Sequence, residues 1–160
     1  MPAGSLLIKG VGESSDAHHI SSPHPEGIGA QYAMRAALLQ AGLTAQDIDY
    51  IHLHGTATKN NDAAEGKAVA NVFDDSVPSS STKGATGHCL GAAGGLSVAI
   101  TAVALQQQVA WGSSGTKELD SRISSIHYLM LNTARPMRNI LSNSFGFGGS
   151  NCSIVLGLQD

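Results

Sequence analysis

The stretch that decides the fold is Tyr50–Asn61, with the sequence YIHLHGTATKNN. Its first five residues are mostly apolar, which is typical of a strand, and Gly55 marks the end of that strand. Asn60 or Asn61 is a preferred N-cap residue, and the residues that follow predict a helix to about Phe73. The stretch therefore predicts a strand followed by a helix, the unit from which α/β proteins are built.

The same succession of strands and helices extends to both sides of this stretch. Short apolar runs predict three more strands, at Leu6–Val11, Ile140–Ser144 and Cys152–Leu156. Helical spacing begins at Ile28 and ends before Gly42. A chain that alternates in this way favours an α/β fold, in which a mixed sheet is covered by helices on both faces.

The predicted helices carry expectations about burial. The apolar stripe of the first helix consists of Ile28, Tyr32, Arg35 and Leu39, widened by Met34 and Leu38. A later helix, Gly91–Gln107, is small and apolar on nearly all sides, which predicts burial all round. In the helix that ends near Phe73, Asp62 and Glu65 are expected to lie near the positive end of the helix dipole.

The composition of the chain excludes several classes of function. The formal net charge is −3 and 13% of the residues are charged, which gives no electrostatic footprint for nucleic acid or an anionic membrane. Two cysteines without a CxxC spacing favour neither a disulfide framework nor a zinc site. No run of about 18 apolar residues is found, so no membrane span is expected. The prediction is a single domain, residues 1–160, in the cytoplasm.

Seven histidines in a chain with so little charge raise the possibility of a metal site. Two residues apart on one strand, His52 and His54 share a face and could supply two ligands. No cysteine, aspartate or glutamate stands at a supporting spacing, so no metal site is predicted. A structural role in the core or in a loop is the favoured interpretation for His18, His19, His24, His52 and His127.

His54 differs from these because of the residues that follow it. The segment His54–Thr58, HGTAT, places an imidazole at a strand end, followed by a glycine and two hydroxyl groups. Ligand sites of α/β sheets form at strand ends. On the pattern alone, a functional and a structural role for His54 are equally well supported.

A second cluster, Ser81–His88 with the sequence STKGATGH, lies immediately before the glycine-rich apolar helix. The helix dipole disfavours a protonated His88, so its imidazole is expected to be neutral and to donate a hydrogen bond. A neutral donor suits a developing enolate oxygen. The alternative is that Lys83 is a solvated loop residue and that His88 caps the helix. A P-loop is not indicated, because its glycine-lysine spacing is absent.

A third cluster, Asn143–Asn151, has the sequence NSFGFGGSN. Its glycines let backbone amides approach a ligand closely, while Phe145 and Phe147 can close a pocket. A purely structural hairpin tip needs fewer glycines than this segment contains.

The three clusters together resemble the β-ketoacyl-[acyl carrier protein] synthases of the elongating type, the condensing enzymes of fatty-acid and polyketide synthesis. Ser14–His19, SSDAHH, and Gly91–Gly94, GAAG, extend the resemblance over nearly the whole chain. It is confined to the C-terminal half of these enzymes. It implies a thiolase-like fold, built from two similar α/β halves, of which residues 1–160 supply the second. The N-terminal half, with the nucleophilic cysteine, is expected to be missing.

The resemblance also implies a reaction, decarboxylative Claisen condensation of a malonyl thioester with an acyl thioester. It assigns catalytic roles to His54 and His88, which would donate hydrogen bonds to the malonyl thioester carbonyl, and to Lys83, which would support them electrostatically. The residues that would bind the substrate or its pantetheine arm are Thr56, Thr58, Phe145, Phe147 and Gly148. Among these, Phe145 would gate the acyl pocket, and its backbone amide would form part of an oxyanion hole.

The implied partners follow from the same chemistry. The substrate is carried on the phosphopantetheine of acyl carrier protein, and no further cofactor or metal is expected. The other partners are the missing N-terminal half and a second copy in a dimer of the parent enzyme. Neither nucleic acid nor a membrane is expected as a partner. The face that the missing half would cover is expected to form an apolar patch and to cause self-association.

Some positions depart from the family pattern. Lys59 replaces a common proline, and Ser97 replaces a glutamate that braces the lysine and histidine network in many members. Cys89 and Cys152 do not match the nucleophile and are expected to be small buried hydrophobic residues. A non-catalytic partner that resembles a chain-length factor therefore stays an alternative. A thiolase or ketoacyl synthase III is disfavoured, because the pairing of Lys83 with His88 fits neither.

Overall fold

The computed structural model describes residues 4–73, 75–123 and 125–159 of the chain, so the ends of the predicted single domain lie outside it. The strands are β1 (Leu6–Ser15), β2 (Tyr50–His52), β3 (Ser79–Ser80), β4 (Val109–Ala110), β5 (Thr133–Ala134), β6 (Asn139–Phe145) and β7 (Ser150–Leu158). The helices are α1 (Ile28–Ala41), α2 (Lys59–Phe73), α3 (Lys83–Thr86) and α4 (Ala93–Gln107). Short 3₁₀ turns lie at Ala45–Asp47, Leu90–Ala92, Ser121–Ile123 and Phe147–Gly149.

The main sheet has five strands in the order β1-β7-β6-β2-β3. β7 runs antiparallel to both β1 and β6, whereas β2 runs parallel to β6 and β3. β4 and β5 form a separate antiparallel pair. The sheet is therefore mixed, as predicted, although β3, β4 and β5 are too short to have been found from sequence patterns.

Helices cover both faces of the main sheet. Ile51, Leu141 and Val155 are cross-strand neighbours and pack in one core with residues of α1 and α2. The adjacent row of side chains, from Tyr50, Ile140 and Leu156, packs in a second core with residues of α4. Because successive strand residues point to opposite faces, the central strands are buried on both sides. The predicted α/β layering is confirmed.

α1 has the predicted bounds, but only the Met34 and Leu38 part of its predicted stripe is buried. Gly42 ends the helix in the left-handed conformation at φ 66°, and its N–H donates to the carbonyl groups of the last turn. The stripe expected to be its core side is exposed, with Tyr32 at 62% and Leu39 at 83% exposure. Met34 and Leu38, which were expected to widen this stripe, are buried, and the other residues that face the sheet are the alanines Ala30, Ala33 and Ala37.

The glycines of β1 explain this orientation. A Cβ atom on Gly10 would lie 2.2 Å from the Ala37 carbonyl oxygen, and one on Gly12 would lie 2.0 Å from that of Ala33. The backbones of α1 and β1 therefore approach so closely that the helix must present alanines at this interface.

α4 is not buried all round, so that prediction was wrong. Its buried residues recur on one side, at Ala93, Ser97, Thr101, Ala104 and Leu105. The opposite side is open along Gly91, Ala92, Gly95, Ala99 and Val103. This unpartnered side of small and apolar residues, together with Leu90, is called the α4 outer face below.

Leu90–Gln107 is also long and apolar enough to cross a membrane, by length and composition alone, with a mean hydropathy of 1.3. The expectation that no such stretch exists was therefore wrong, because Gly, Ala, Ser and Thr dilute the apolar run without making it polar. In the structure α4 packs against β6 and β7 through its buried side. The helix therefore lies as one layer against the main sheet.

Candidate active site

The three sequence clusters meet at one edge of the sheet. β2 ends at His52, β3 ends at Ser80 and β6 ends at Phe145, and these three strands are parallel to one another. The segments that follow parallel strands must emerge at the same edge. His54 lies two residues beyond the end of β2, so it does not share a strand face with His52 as the sequence suggested.

His54 is the centre of the cluster. Its ring lies 5.4 Å from that of His88, measured between centroids, with the two planes at 84°. The Phe145 ring lies 5.8 Å from His54 on another side. The structure therefore brings together one residue from each of the three clusters.

Two charged side chains hold the backbone of His54. The Glu65 carboxylate accepts a 2.8 Å hydrogen bond from the His54 N–H through Oε1, and a second of 2.8 Å from the Gly55 N–H through Oε2. The Lys83 ammonium group donates to the His54 carbonyl oxygen. Both peptide groups that flank the His54 side chain are thereby fixed, which limits the positions that its ring can adopt.

The two buried histidines of the site, His52 and His54, are neutral near pH 7. Burial lowers the pKa of His54 to about 3, and the nearby Lys83, His88 and His52 lower it further in the same direction. Burial and the charge of Lys83 lower the pKa of His52 to about 4. His52 Nε2 lies 3.0 Å from the Thr82 hydroxyl oxygen, whereas Nδ1 of His54 is buried without a partner among the described residues.

His88 is exposed and lies between α3 and the 3₁₀ turn that precedes α4. Its Nδ1 atom accepts a 3.1 Å hydrogen bond from the Leu90 N–H. In the neutral ring this bond leaves the proton on Nε2, so that nitrogen is a donor.

Burial lowers the pKa of Lys83, while the carboxylates of Glu65 and Asp62 oppose that shift. The site thus combines the partly buried Lys83 with the neutral imidazoles of His52 and His54.

The loop after His54 places two hydroxyl groups together. Thr56 Oγ1 and Thr58 Oγ1 lie 2.8 Å apart on the exposed side of the loop. Between them Ala57 is in the left-handed conformation at φ 59°, which is uncommon for a residue other than glycine. Such strain is often found at functional sites.

The residues of the loop Phe145–Gly148 do not all contact the site. Phe145 contacts His54, but Phe147 is 83% exposed and makes no ring contact with the histidines among the described residues. Gly148 adopts φ 81° and donates its N–H to the Ile20 carbonyl oxygen over 2.7 Å. The expected substrate-binding set is therefore divided between the site and the loop that borders it.

An open cavity of about 610 Å³ adjoins the site. Thr56, Lys83 and His88 line it on one side, and residues of the segment 113–128 line the other. Asp62 and Glu65 contribute the acidic part of the wall. The cavity therefore opens beside the hydroxyl group of Thr56 and the ammonium group of Lys83.

Several predicted structural histidines have local partners. Nδ1 of His19 accepts from the Ser21 N–H, and Nδ1 of His24 accepts from the Glu26 N–H. His18 packs against His24 with a ring separation of 5.0 Å, and His127 is exposed. In the part of the chain that the structure covers, no three metal-ligating side chains gather.

Sequence patterns missed the carboxylate of Glu65, which is only 3% exposed. It was expected only to interact with the dipole of α2. It lies on the buried side of that helix between Ala64 and Ala68, and a charged residue on an apolar side was the available signal.

The cysteines were expected to be buried. This expectation was wrong for Cys89, which is exposed, while Cys152 is half-buried.

Comparison with known proteins gives one family. Residues 6–116 match the family described as "Beta-ketoacyl synthase, C-terminal domain". The mitochondrial 3-oxoacyl-[acyl-carrier-protein] synthase of Arabidopsis thaliana is 43% identical over 153 residues, which cover 91% of this chain and 33% of the relative. The putative mitochondrial enzyme of Schizosaccharomyces pombe is 41% identical, with 92% of this chain and 36% of the relative covered.

Solved structures agree with these relatives. A ketosynthase (ApeO) in complex with its chain length factor (ApeC), from Xenorhabdus doucetiae, has a TM-score of 0.91 at 41% identity and covers 96% of this chain and 39% of that one. A β-ketoacyl synthase from Burkholderia phymatum has a TM-score of 0.92 at 32% identity, with 97% and 38% covered. The chain therefore spans little more than a third of the length of the relatives it matches.

Proposed function

Because this chain belongs to the β-ketoacyl synthases and corresponds to their C-terminal domain, we propose that it is part of a 3-oxoacyl-[acyl carrier protein] synthase. The reaction is the decarboxylative Claisen condensation of a malonyl thioester with an acyl thioester, in fatty-acid or polyketide synthesis. One observation carries the proposal: His54 and His88 lie in ring contact, with Lys83 bonded to the His54 backbone.

The two imidazoles stabilise the enolate in this mechanism. The bond between the malonyl carboxylate and the adjacent carbon breaks, and carbon dioxide leaves. The electron pair of that bond passes into the thioester, which becomes an enolate. His54 and His88 donate hydrogen bonds to the developing oxyanion, and such preorganised donors supply much of the rate enhancement of an enzyme. Lys83 contributes its charge beside the two imidazoles, where its ammonium group donates a hydrogen bond to the His54 carbonyl oxygen.

The remaining site residues bind the substrate. The hydroxyl groups of Thr56 and Thr58 hold the pantetheine arm, which enters through the adjoining cavity from the acyl carrier protein. Phe145 gates the acyl pocket beside His54, and its backbone amide forms part of an oxyanion hole. Phe147 and Gly148 lie in the loop that must move with Phe145. This chemistry needs no resident cofactor or metal.

The acyl group is accepted by a cysteine of an N-terminal half, the second partner that we propose. Among the described residues, neither the exposed Cys89 nor Cys152 on β7 has a hydrogen bond to a histidine, the contact that would activate a cysteine nucleophile. The α4 outer face is the surface that this half covers, since an apolar helix face is stable only when it is packed. The 160 residues alone are accordingly inactive in condensation, and the complete enzyme is a dimer.

We propose the cytoplasm as the compartment from the composition of the chain. The names of the relatives do not support this choice, since two of them are mitochondrial enzymes.

A condensation assay tests the function. Carrier-bound malonyl and acyl substrates are supplied to the chain alone, and to the chain with a cysteine-bearing N-terminal half. Condensation is expected only in the mixture, and His54→Ala and His88→Ala should each abolish it, while His127→Ala at an exposed position outside the site should not. Activity that survives both substitutions would contradict the assigned site. Retained carrier binding without any condensation would instead favour the non-catalytic partner.

A further inference from the structure

Asn143 on β6 is a fully buried amide with a defined partner on each side. Its Nδ2 atom donates to Glu65 Oε1 over 3.2 Å, and its Oδ1 atom accepts from the Ser153 hydroxyl over 2.7 Å. Asn143 and Ser153 are cross-strand neighbours on β6 and β7, and neither is exposed at all. A continuous chain of hydrogen bonds thus runs from β7 to the carboxylate that holds the His54 backbone.

These contacts fix the orientation of the amide. If the Asn143 side chain were flipped, its carbonyl oxygen would face the Glu65 carboxylate and the two would repel. The Ser153 hydroxyl, as a donor to Oδ1, further stabilises the orientation with Nδ2 towards Glu65. Asn143 therefore already directs its Nδ2 donor towards Glu65, without any rearrangement of the pair that it forms with Ser153.

Among the described residues, Glu65 accepts only from N–H groups, namely those of His54, Gly55 and Asn143. These three N–H donors favour the ionised form of the carboxylate. Burial raises the pKa of Glu65 and Asp62 on its own helix adds to the rise, while the three donors oppose it. The facing cation is Lys83, whose charge also favours the carboxylate. Of the three N–H donors to Glu65, two belong to the backbone and the third is the side-chain amide of Asn143.

We propose that Asn143, oriented by Ser153, is a positioning residue that keeps the Glu65 carboxylate ionised and aligned, and thereby holds the His54 backbone in place. The effect on catalysis rests on the function proposed above, but the effect on Glu65 does not. Asn143 itself does not touch the reacting atoms; it acts through Glu65.

Amide NMR of the full chain tests the structural part. The His54 and Gly55 amide protons, which donate to Glu65, should shift as that carboxylate is protonated. In Asn143→Asp, which conserves the shape but replaces the donor with a charge, the midpoint should rise by about one pH unit or more. Asn143→Leu should raise it by about one unit, and Ser153→Ala by less.

Ser142→Ala is the matched control. Ser142 is the buried neighbour of Asn143 on β6, its hydroxyl group has no partner among the described residues, and it does not contact Glu65. Its removal should leave the midpoint unchanged. If the Asn143 variants do not fold, Ser153→Ala decides the matter. An unchanged midpoint in every folded variant would overturn the proposal.

Kinetics of the reconstituted enzyme test the catalytic part. Asn143→Asp should lower kcat about ten- to a hundredfold with little change in KM, because displacement of the His54 ring affects the transition state more than binding. The loss should be smaller in Asn143→Leu, which removes the donor without placing a second charge beside Glu65. An inactive unmodified mixture would refute the proposed function, while the NMR midpoint would still decide the role of Asn143. Unchanged kcat together with a shifted midpoint would limit Asn143 to the electrostatics of Glu65 and overturn its catalytic role.

Discussion

Glu65 and Lys83 bind opposite ends of the same residue: the carboxylate accepts from the His54 N–H at 2.8 Å and the ammonium group donates to the His54 carbonyl oxygen. The two side chains come from different helices, α2 and α3, so the position of the imidazole depends on the packing of both. A site held through its backbone is less sensitive to side-chain fluctuation than one held through the ring alone.

Replacement of Glu65 should therefore destabilise the fold and displace the site together. In Glu65→Gln the amide nitrogen would face at least one N–H group, so a buried donor would lose its acceptor at a cost of about 1–3 kcal/mol. Chemical denaturation measures the loss. Asp62→Asn, three residues earlier on α2 and only partly buried, should cost less. Equal stability of Glu65→Gln and the unmodified chain would contradict this role.

The turn at Gly55 should tolerate no side chain. Its φ is +43°, and a Cβ atom would lie 2.4 Å from the Ser81 Cβ atom. Gly55→Ala should cost about 2–4 kcal/mol, from the left-handed backbone together with overpacking. Gly42→Ala is the control, because Gly42 is also left-handed at +66° but has open space around it. It should lose about 1 kcal/mol in thermal or chemical unfolding. Equal losses in the two variants would show that packing against Ser81 is unimportant.

Stability should fall as the pH drops below about 6.5. The pKa of His52 is lowered to about 4 and that of His54 to about 3, so between these values and 6.5 the unfolded chain binds protons that the folded chain does not. The free energy of unfolding should decrease by about 1.4 kcal/mol per pH unit for each histidine. Denaturation at pH 7, 6 and 5 measures the slope. His54→Gln should remove about half of it, and an unchanged slope would show that His54 is not buried as a neutral ring.

The chain alone should self-associate through the α4 outer face. Val103 is 41% exposed and Leu90 is 77% exposed on this surface. Sedimentation velocity should show oligomers that Val103→Glu shifts towards the monomer, because a charge opposes burial of the face. Leu39→Glu, on the exposed stripe of α1, is the matched control and should have little effect. A monodisperse monomer of the unmodified chain at high concentration would refute this prediction.

Patterns local in the sequence predicted their structures well. Gly42 ends α1 as its position indicated. The clusters around His54, Lys83 with His88, and Phe145 were each recognised from spacing, and all lie at the same sheet edge. These features depend on backbone geometry over a few residues, which the sequence specifies directly.

Which side of a helix is buried was less predictable. A period of 3.6 residues identifies a stripe, but the neighbouring element selects between stripes. α1 turns its alanines inward because Gly10 and Gly12 bring β1 against its backbone. α4 buries only one side, since the described residues provide nothing to cover the other.

The sequence by itself determined the family, the order of the longer strands and helices, and the residue types that the chemistry requires. Only the tertiary structure decided that Glu65 and Asn143 support His54, because hydrogen bonds between α2, β6 and β7 join residues far apart in the chain. Long-range polar contacts leave no periodic signal in the sequence, since each partner is a single residue whose environment is set by the packing of separate elements.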